Sequence, residues 1–323
     1  MQQIAFVQGA KKLVEICAGV KAGENLLIVT DIGRPLSVAQ ALALAGENVG
    51  ANVILTVMKP VPTGQEPPAP VKGAMLSADV ILAPTSGSMF HTNAAREAVA
   101  AGARLISLTE MSEALLVSGA ILADFEAQAP VIEAVRQLLT NADKVHITAP
   151  GGTDVTMSLA GREAMKITSL AREPGIRTAG LDLEAFIAPV EGTAEGVVVI
   201  DASASNMGLV RTPLRMELKE GRVVKISGGA QARGVEKSLA KTNHAGSYAI
   251  AELGIGLNPS GLVRGQIVED EGVYGTAHIA LGNNTNFVGG QNWAPIHFDY
   301  VFWEPTIELD GKVIMAAGGL VDA

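Results

Sequence analysis

Blocks of lysine and arginine are missing from this chain. With a net charge of −9 and a pI of about 5.1, it has no basic stripe able to follow a phosphate backbone, which argues against a nucleic-acid partner. Cysteine occurs once, at Cys17. An internal disulfide framework is thereby excluded, and a reducing compartment is expected. Aromatic residues make up only 4% of the sequence while hydrophobic residues make up 48%. The core must therefore be built mainly from Ala, Val, Leu and Ile, and a largely disordered chain is ruled against. No run of 18 apolar residues occurs, so no membrane span is expected. The opening "MQQIAFVQGAKKLVEICAGV" lacks the basic-then-apolar order of a signal peptide. The expected location is the cytoplasm.

Several catalytic signatures are also absent. There is no GxxxxGK[ST], no GxSxG and no CxxC. The stretch "ELGIGLNP" (252–259) starts like a dinucleotide loop, but Pro259 stands where the third glycine belongs and no βαβ context surrounds it.

What is present divides into two textures. In the first, short apolar runs alternate with Ala-rich helical segments: "NLLIVT" (25–30), a helix over 35–50 closed by Gly50, "NVILTVM" (52–58), "ADVILAPT" (78–85), "NAAREAVAAGA" and "RLISLT" (104–109). This alternation predicts a doubly wound, mostly parallel sheet covered on both faces. Leu13, Ile16, Cys17 and Val20 recur at helical spacing, which makes Cys17 a core thiol. Residues 60–71 read as a Pro-rich loop and 112–142 as purely helical. Ser86, Ser88 and His91 follow the third strand, where such folds bind ligands, although a polar loop ending in a helix cap is the simpler account of them.

From about residue 143 the chain becomes glycine-rich and strand-rich. Glu220-Gly221 and Asp310-Gly311 mark hairpin turns. The expectation is two domains, an α/β domain over 1–142 and an α+β, metal-binding domain over 143–323.

The chemistry is expected in the second domain. Glu184, Glu252 and His278 each lie in an apolar, strand-like run, and "IHFD" places His297 and Asp299 two apart, on the same side of a strand. A carboxylate buried in such a run must be paired, hydrogen-bonded or bound to a cation. Glu184 or His278 alone reads more readily as a satisfied structural group. Together the five form a set of carboxylates and imidazoles suited to zinc, cobalt, manganese or iron(II). Among the other acids, Glu191, Glu195, Glu269, Asp270 and Glu271 read as solvated surface groups, any one of which is a candidate general base. Asp154 reads as a turn residue, or one that supports the ligands from outside, rather than as a ligand. Arg162 and Lys225 are candidates to hold a substrate carboxylate.

The segments "EICAGVKAGENLLIVTD", "GGTDVTMSLAGR", "EAFIAPVEGTAEGVVVID", "AELGIGLNP", "GTAHIALGNN" and "IHFD" occur in the order found in the metallo-aminopeptidases of the aminopeptidase T and aminopeptidase S type, which the chain resembles along nearly its whole length. The resemblance implies a homodimer and two divalent ions (zinc, cobalt or manganese) on Glu184, Glu252, His278, His297 and Asp299. Glu252 would be the bridging, catalytic residue, and the substrate a short peptide or small amide. The peptidases carry a tyrosine shortly after the residue matched by His278. Here the run reads "HIALGNNTNFVGG", with Thr285 near that point. In its length and its Gly-Gly pair this segment is similar to a second branch, the 2,5-dihydroxypyridine dioxygenases. Those hold a single iron(II) by two histidines and an aspartate, with a histidine matched here by Glu252. Because Glu184 and His278 complete the peptidase set, the sequence points to a two-metal hydrolase, with the iron(II) ring-cleaving dioxygenase as the alternative.

Overall fold

In the computed structural model, which describes residues 2–321, the chain forms two compact units. The first runs to Ala127 and is rejoined by Ile167–Asp182; the second comprises Gln128–Lys166 and everything from Leu183 onward. The division is thus not a single cut near residue 142.

The first unit is an α/β layer structure. Strands Asn25–Asp31 (β1), Asn52–Met58 (β2), Val80–Ala83 (β3) and Arg104–Ser107 (β4) are joined by the returning strand Arg177–Ala179, β8 in chain order. The sheet order is β2-β1-β3-β4-β8, parallel throughout. Helix Leu36–Val49 stops where Gly50 takes the left-handed conformation at φ 88°, which glycine adopts without a Cβ clash. Helix Asn93–Ala100 is capped by Thr92, whose side chain accepts from the amide of Ala95. Leu27, Val29, Ile81 and Leu105 of the sheet pack against Met75, Met89, Ala94 and Ala98. The small helical alanines let the layers approach closely, as a core poor in aromatics requires.

Two expectations change here, and one strand appears that the sequence did not signal. The Pro-rich loop yields to a helix at Ala69–Met75. The segment 112–142 is not one helix. It breaks into Glu113–Val117, a 3-10 turn over Gly119–Leu122, and Phe125–Thr140, because Ser118 is extended and Gly119 has φ 77°. Arg177–Ala179 is too short to show a pattern of its own and becomes a strand only by pairing with β4.

Cys17 ends a π-helical turn, Lys12–Cys17, and is fully buried. Burial pushes its thiol up to about 12, against the pull of Lys12 and Arg172. The thiolate is the reactive form. Native protein should therefore resist iodoacetamide at pH 8, while urea-unfolded protein takes up one label per chain. Rapid labelling of the native protein would show that this helix opens.

The second unit is built from two antiparallel sheets. One combines Lys144–Ala149 (β5), Thr153–Ser158 (β6), Glu195–Ile200 (β10), Leu214–Lys219 (β13), Arg222–Ser227 (β14), Thr306–Leu309 (β18), Lys312–Ala316 (β19) and Gly319–Leu320 (β20), in the order β14-β13-β10-β6-β5-β18-β19-β20. Its hairpin turns have φ 49° and 71° at Glu220 and Gly221, and 48° and 86° at Asp310 and Gly311. Both central residues are left-handed, the geometry that matches strand twist. The other sheet runs β12-β11-β17-β16-β15-β9-β7. Its members are Met165–Ile167 (β7), Glu184–Ile187 (β9), Ser203–Ala204 (β11), Gly208–Leu209 (β12), Ile250–Gly256 (β15), Thr276–Gly282 (β16) and His297–Trp303 (β17). No single helix among the described residues is long and apolar enough to cross a membrane.

Candidate metal centre

Four neighbouring strands of the seven-stranded sheet carry the acids and histidines of interest. The register aligns Glu252 with Ala280 and Ala280 with Asp299, so these three form one row across β15, β16 and β17. One row away, His278 faces Gly254 on one side and Val301 on the other. His297 faces Gly282, and Glu184 faces Gly256. Cross-strand partners share a face, as do residues two apart. All five side chains therefore rise from the same face, with Gly254, Gly256, Ala280 and Gly282 between them. These small residues leave the space into which the long side chains converge.

A β-bulge makes this possible. Ile250 pairs with Leu281 but Glu252 pairs with Ala280, so Ala251 is an extra residue in the ladder. In a regular strand Ile250 and Glu252 would share a face. The bulge puts them on opposite faces and aims Glu252 at the histidines.

Glu252 joins two clusters. Its Oε2 lies 2.9 Å from Nε2 of His297, which is itself 3.3 Å from Oδ1 of Asp299. Its Oε1 lies 3.6 Å from Nε2 of His278, which is 3.4 Å from Oε2 of Glu184. Within each of the sets Glu184–Glu252–His278 and Glu252–His297–Asp299, the ligand atoms lie within 4.8 Å of one another. A third set of the same tightness adds Glu271 to His278 and Asp299.

The histidines are held in place from outside. Nδ1 of His297 is 2.8 Å from the carbonyl of Asn283, which requires a proton on Nδ1 and leaves Nε2 to face Glu252 and Asp299. The His278 ring lies over Gly254: a Cβ there would be 2.1 Å from Cε1 and 2.2 Å from Nε2. The backbone amide of Asp299 donates to the Ser205 hydroxyl at 2.9 Å. Burial raises the pKa of Glu252, but hydrogen bonds from His278 and His297 more than offset it and hold the carboxyl at about 2. For His297, burial disfavours the charged ring. Asp299 and Glu252 overcome this and lift it well above the ordinary 6.5. The donor set thus fits a divalent cation: imidazole nitrogens and carboxylates converge on one face of the sheet.

Other candidates fall outside this cluster. Asp154 sits 2.8 Å from exposed His146. Lys225 pairs with Glu217 at 3.0 Å on the surface. Arg162 binds Glu191 and the carbonyl of Gly289, so it serves the protein rather than a substrate carboxylate. Glu195 accepts from the amide of Glu220. The solvated reading of Glu269 and Asp270 is wrong: both are fully buried. Glu269 lies 3.1 Å from the Arg264 guanidinium, and Asp270 accepts from the amides of Arg264 and Gly265. They order the loop before Glu271. Glu271 was indistinguishable from them in sequence because its place follows from how that loop folds back.

The family model of 2,5-dihydroxypyridine 5,6-dioxygenase matches residues 5–322. The 2,5-dihydroxypyridine 5,6-dioxygenase of Pseudomonas putida KT2440 is 26% identical over 260 residues, covering 77% of this chain and 72% of the relative. Among solved structures, 2,5-dihydroxypyridine dioxygenase from P. putida KT2440 superposes with a TM-score of 0.84 at 20% identity, over 98% of this chain and 97% of that one. AmpT from Thermus thermophilus superposes with a TM-score of 0.73 at 17% identity, over 100% of both chains. At these identities the two structures establish the shared two-domain fold.

Proposed function

Because the chain belongs to the 2,5-dihydroxypyridine 5,6-dioxygenase family, we propose that it is an iron(II)-dependent enzyme that opens a dihydroxylated pyridine-type ring with dioxygen. The family match along residues 5–322 overturns the expectation of a metallo-aminopeptidase cleaving peptides or amides. That expectation rested on the donor set and the order of the motifs; imidazoles and carboxylates suit hydrolytic and oxidative metals alike, and the fold is shared with relatives of both kinds. The reading of an enzyme with a metal cofactor stands, and in place of zinc, cobalt or manganese in a two-ion hydrolytic centre the proposal is iron.

The observation that carries the reading is the tight Glu252–His297–Asp299 set. These residues are proposed to hold one iron(II). It has one imidazole and two carboxylates, and His278, across Glu252, is the nearest second imidazole. Iron(II) held by these residues would supply the one-electron chemistry through which dioxygen reacts with an electron-rich ring. The protein's own part is orientation and proton handling. The Asn283 carbonyl fixes the His297 tautomer. His278 Nε2, 3.4 Å from Glu184 and 3.6 Å from Glu252, faces both carboxylates and orients them beside the iron-holding set.

The test is oxygen uptake by metal-free protein loaded with iron(II) under argon. On admission of air, one O2 should be consumed per 2,5-dihydroxypyridine lost, with none consumed after chelation. Full turnover under argon, or equal turnover with zinc, would overturn the proposal.

A further inference from the structure

The burial of the five side chains shows where the centre opens. Glu184 and Glu252 are each 5% exposed and His278 1%, whereas Asp299 is 13% and His297 30% exposed. A substrate must therefore approach from the His297 side. The group standing there is Phe287. Its half-buried ring lies 5.5 Å from the His297 ring, tilted by 32°, and meets Phe186 edge-on at 5.4 Å and 85°. Phe186 is two residues from Glu184 on β9 and pairs with Gly254, so it rises from the same face as the metal-centre residues.

Phe287 is not on a loose segment. Asn284 is fully buried, donates to Glu191 through Nδ2 at 2.9 Å and accepts from the amide of Asn292 at 2.8 Å. Glu191 also accepts from the amide of Gln291 at 2.9 Å and binds the Arg162 guanidinium, whose other arm binds the Gly289 carbonyl. Both ends of the loop are thus tied to one partly buried ion pair. An aromatic ring on so braced a loop keeps its orientation, and the entropy cost of ordering it has been met before any ligand arrives.

We propose that Phe287, backed edge-on by Phe186, is the stacking wall that receives the planar ring of the substrate and holds it flat beside His297. The inference rests on the ring-cleavage reading and adds the residue that selects for a flat aromatic substrate. Offset stacking of one ring is worth a few-fold to about tenfold in affinity.

Two measurements test it together. Binding of 2-hydroxypyridine to iron-loaded protein is followed calorimetrically under argon, and KM and kcat for 2,5-dihydroxypyridine are taken from oxygen uptake. Phe287→Leu should weaken 2-hydroxypyridine binding and raise KM by about three- to tenfold. It should leave kcat within about twofold and iron(II) affinity unchanged, and Phe287→Tyr should restore binding. Equal binding by the leucine variant would overturn the proposal. So would a parallel fall in iron affinity, which would make Phe287 a prop for His297. If wild-type protein takes up no oxygen, the ring-cleavage reading fails, but the argon experiment still decides the wall: binding that Phe287→Leu weakens supports it, and no binding by wild type overturns it.

Discussion

His297→Ala is expected to cost iron(II) affinity on the order of a hundredfold or more and to abolish oxygen uptake with 2,5-dihydroxypyridine. Even outer-shell partners of metal ligands are worth roughly ten- to a hundredfold in affinity, and His297 lies between Glu252 and Asp299 at 2.9 and 3.3 Å. The same geometry sets a pH dependence. Metal-free protein holds His297 protonated above the ordinary 6.5, and iron(II) must displace that proton. Affinity should fall about tenfold per pH unit below the raised value, as for release of one proton.

Stability of the metal-free protein carries the opposite signs of these two shifts. The raised pKa of His297 contributes stability in full below 6.5, and this is lost as pH rises through the raised value. The lowered pKa of Glu252 contributes above 4.5 and is lost as pH falls toward about 2. Both contributions are complete between 4.5 and 6.5. Urea titrations of metal-free protein should give a higher midpoint at pH 5.5 than at pH 9. Chelated protein whose midpoint rises steadily to pH 9 would contradict this pairing. Iron content and oxygen uptake of His297→Ala provide the direct check, and retention of one iron with full activity would remove His297 from the centre.

Gly254→Ala is the second change with a large expected effect, although it adds only a methyl group. The new Cβ would lie 2.1 Å from Cε1 and 2.9 Å from Nδ1 of His278. That ring is 1% exposed and walled in by the sheet, so it cannot swing into solvent. Overpacking of this kind costs about 1–3 kcal/mol. The displaced ring would also lose its approach to Glu184 and Glu252, so activity should fall much further than stability does. The control is Gly73→Ala, in helix Ala69–Met75, where a Cβ meets nothing within 4 Å. It should be neutral or stabilising by up to about 1 kcal/mol. Thermal unfolding and oxygen uptake measured on both variants separate the two cases. Gly254→Ala behaving like Gly73→Ala would mean that His278 has room to move and is not held by the glycine.

The residue pattern by itself determined a good part of this protein. The apolar runs of β1 to β4 and the helices between them are local signals, because each segment's composition decides its own state. Asn52–Met58 coincides with the run read from sequence, and the hairpins at Glu220-Gly221 and Asp310-Gly311 follow from turn chemistry that two adjacent residues supply. Glu184, Glu252, His278, His297 and Asp299 stood out because charged groups are costly in apolar strands, and the structure brings them to one face. Tertiary structure alone decided what depends on pairing between distant segments. The bulge at Ala251 exists only relative to β16, and it chooses the face on which Glu252 appears. Arg177–Ala179 is a strand only because β4 offers an edge. Glu269 and Asp270 look like surface acids until Arg264 and the amides of its loop close around them. The reaction class was not legible in the donor set, since imidazoles and carboxylates on this fold accommodate a hydrolytic or an oxidative metal equally. Phe287 reads as an ordinary loop aromatic until the braced loop sets its ring beside His297, at the one side where the centre meets solvent.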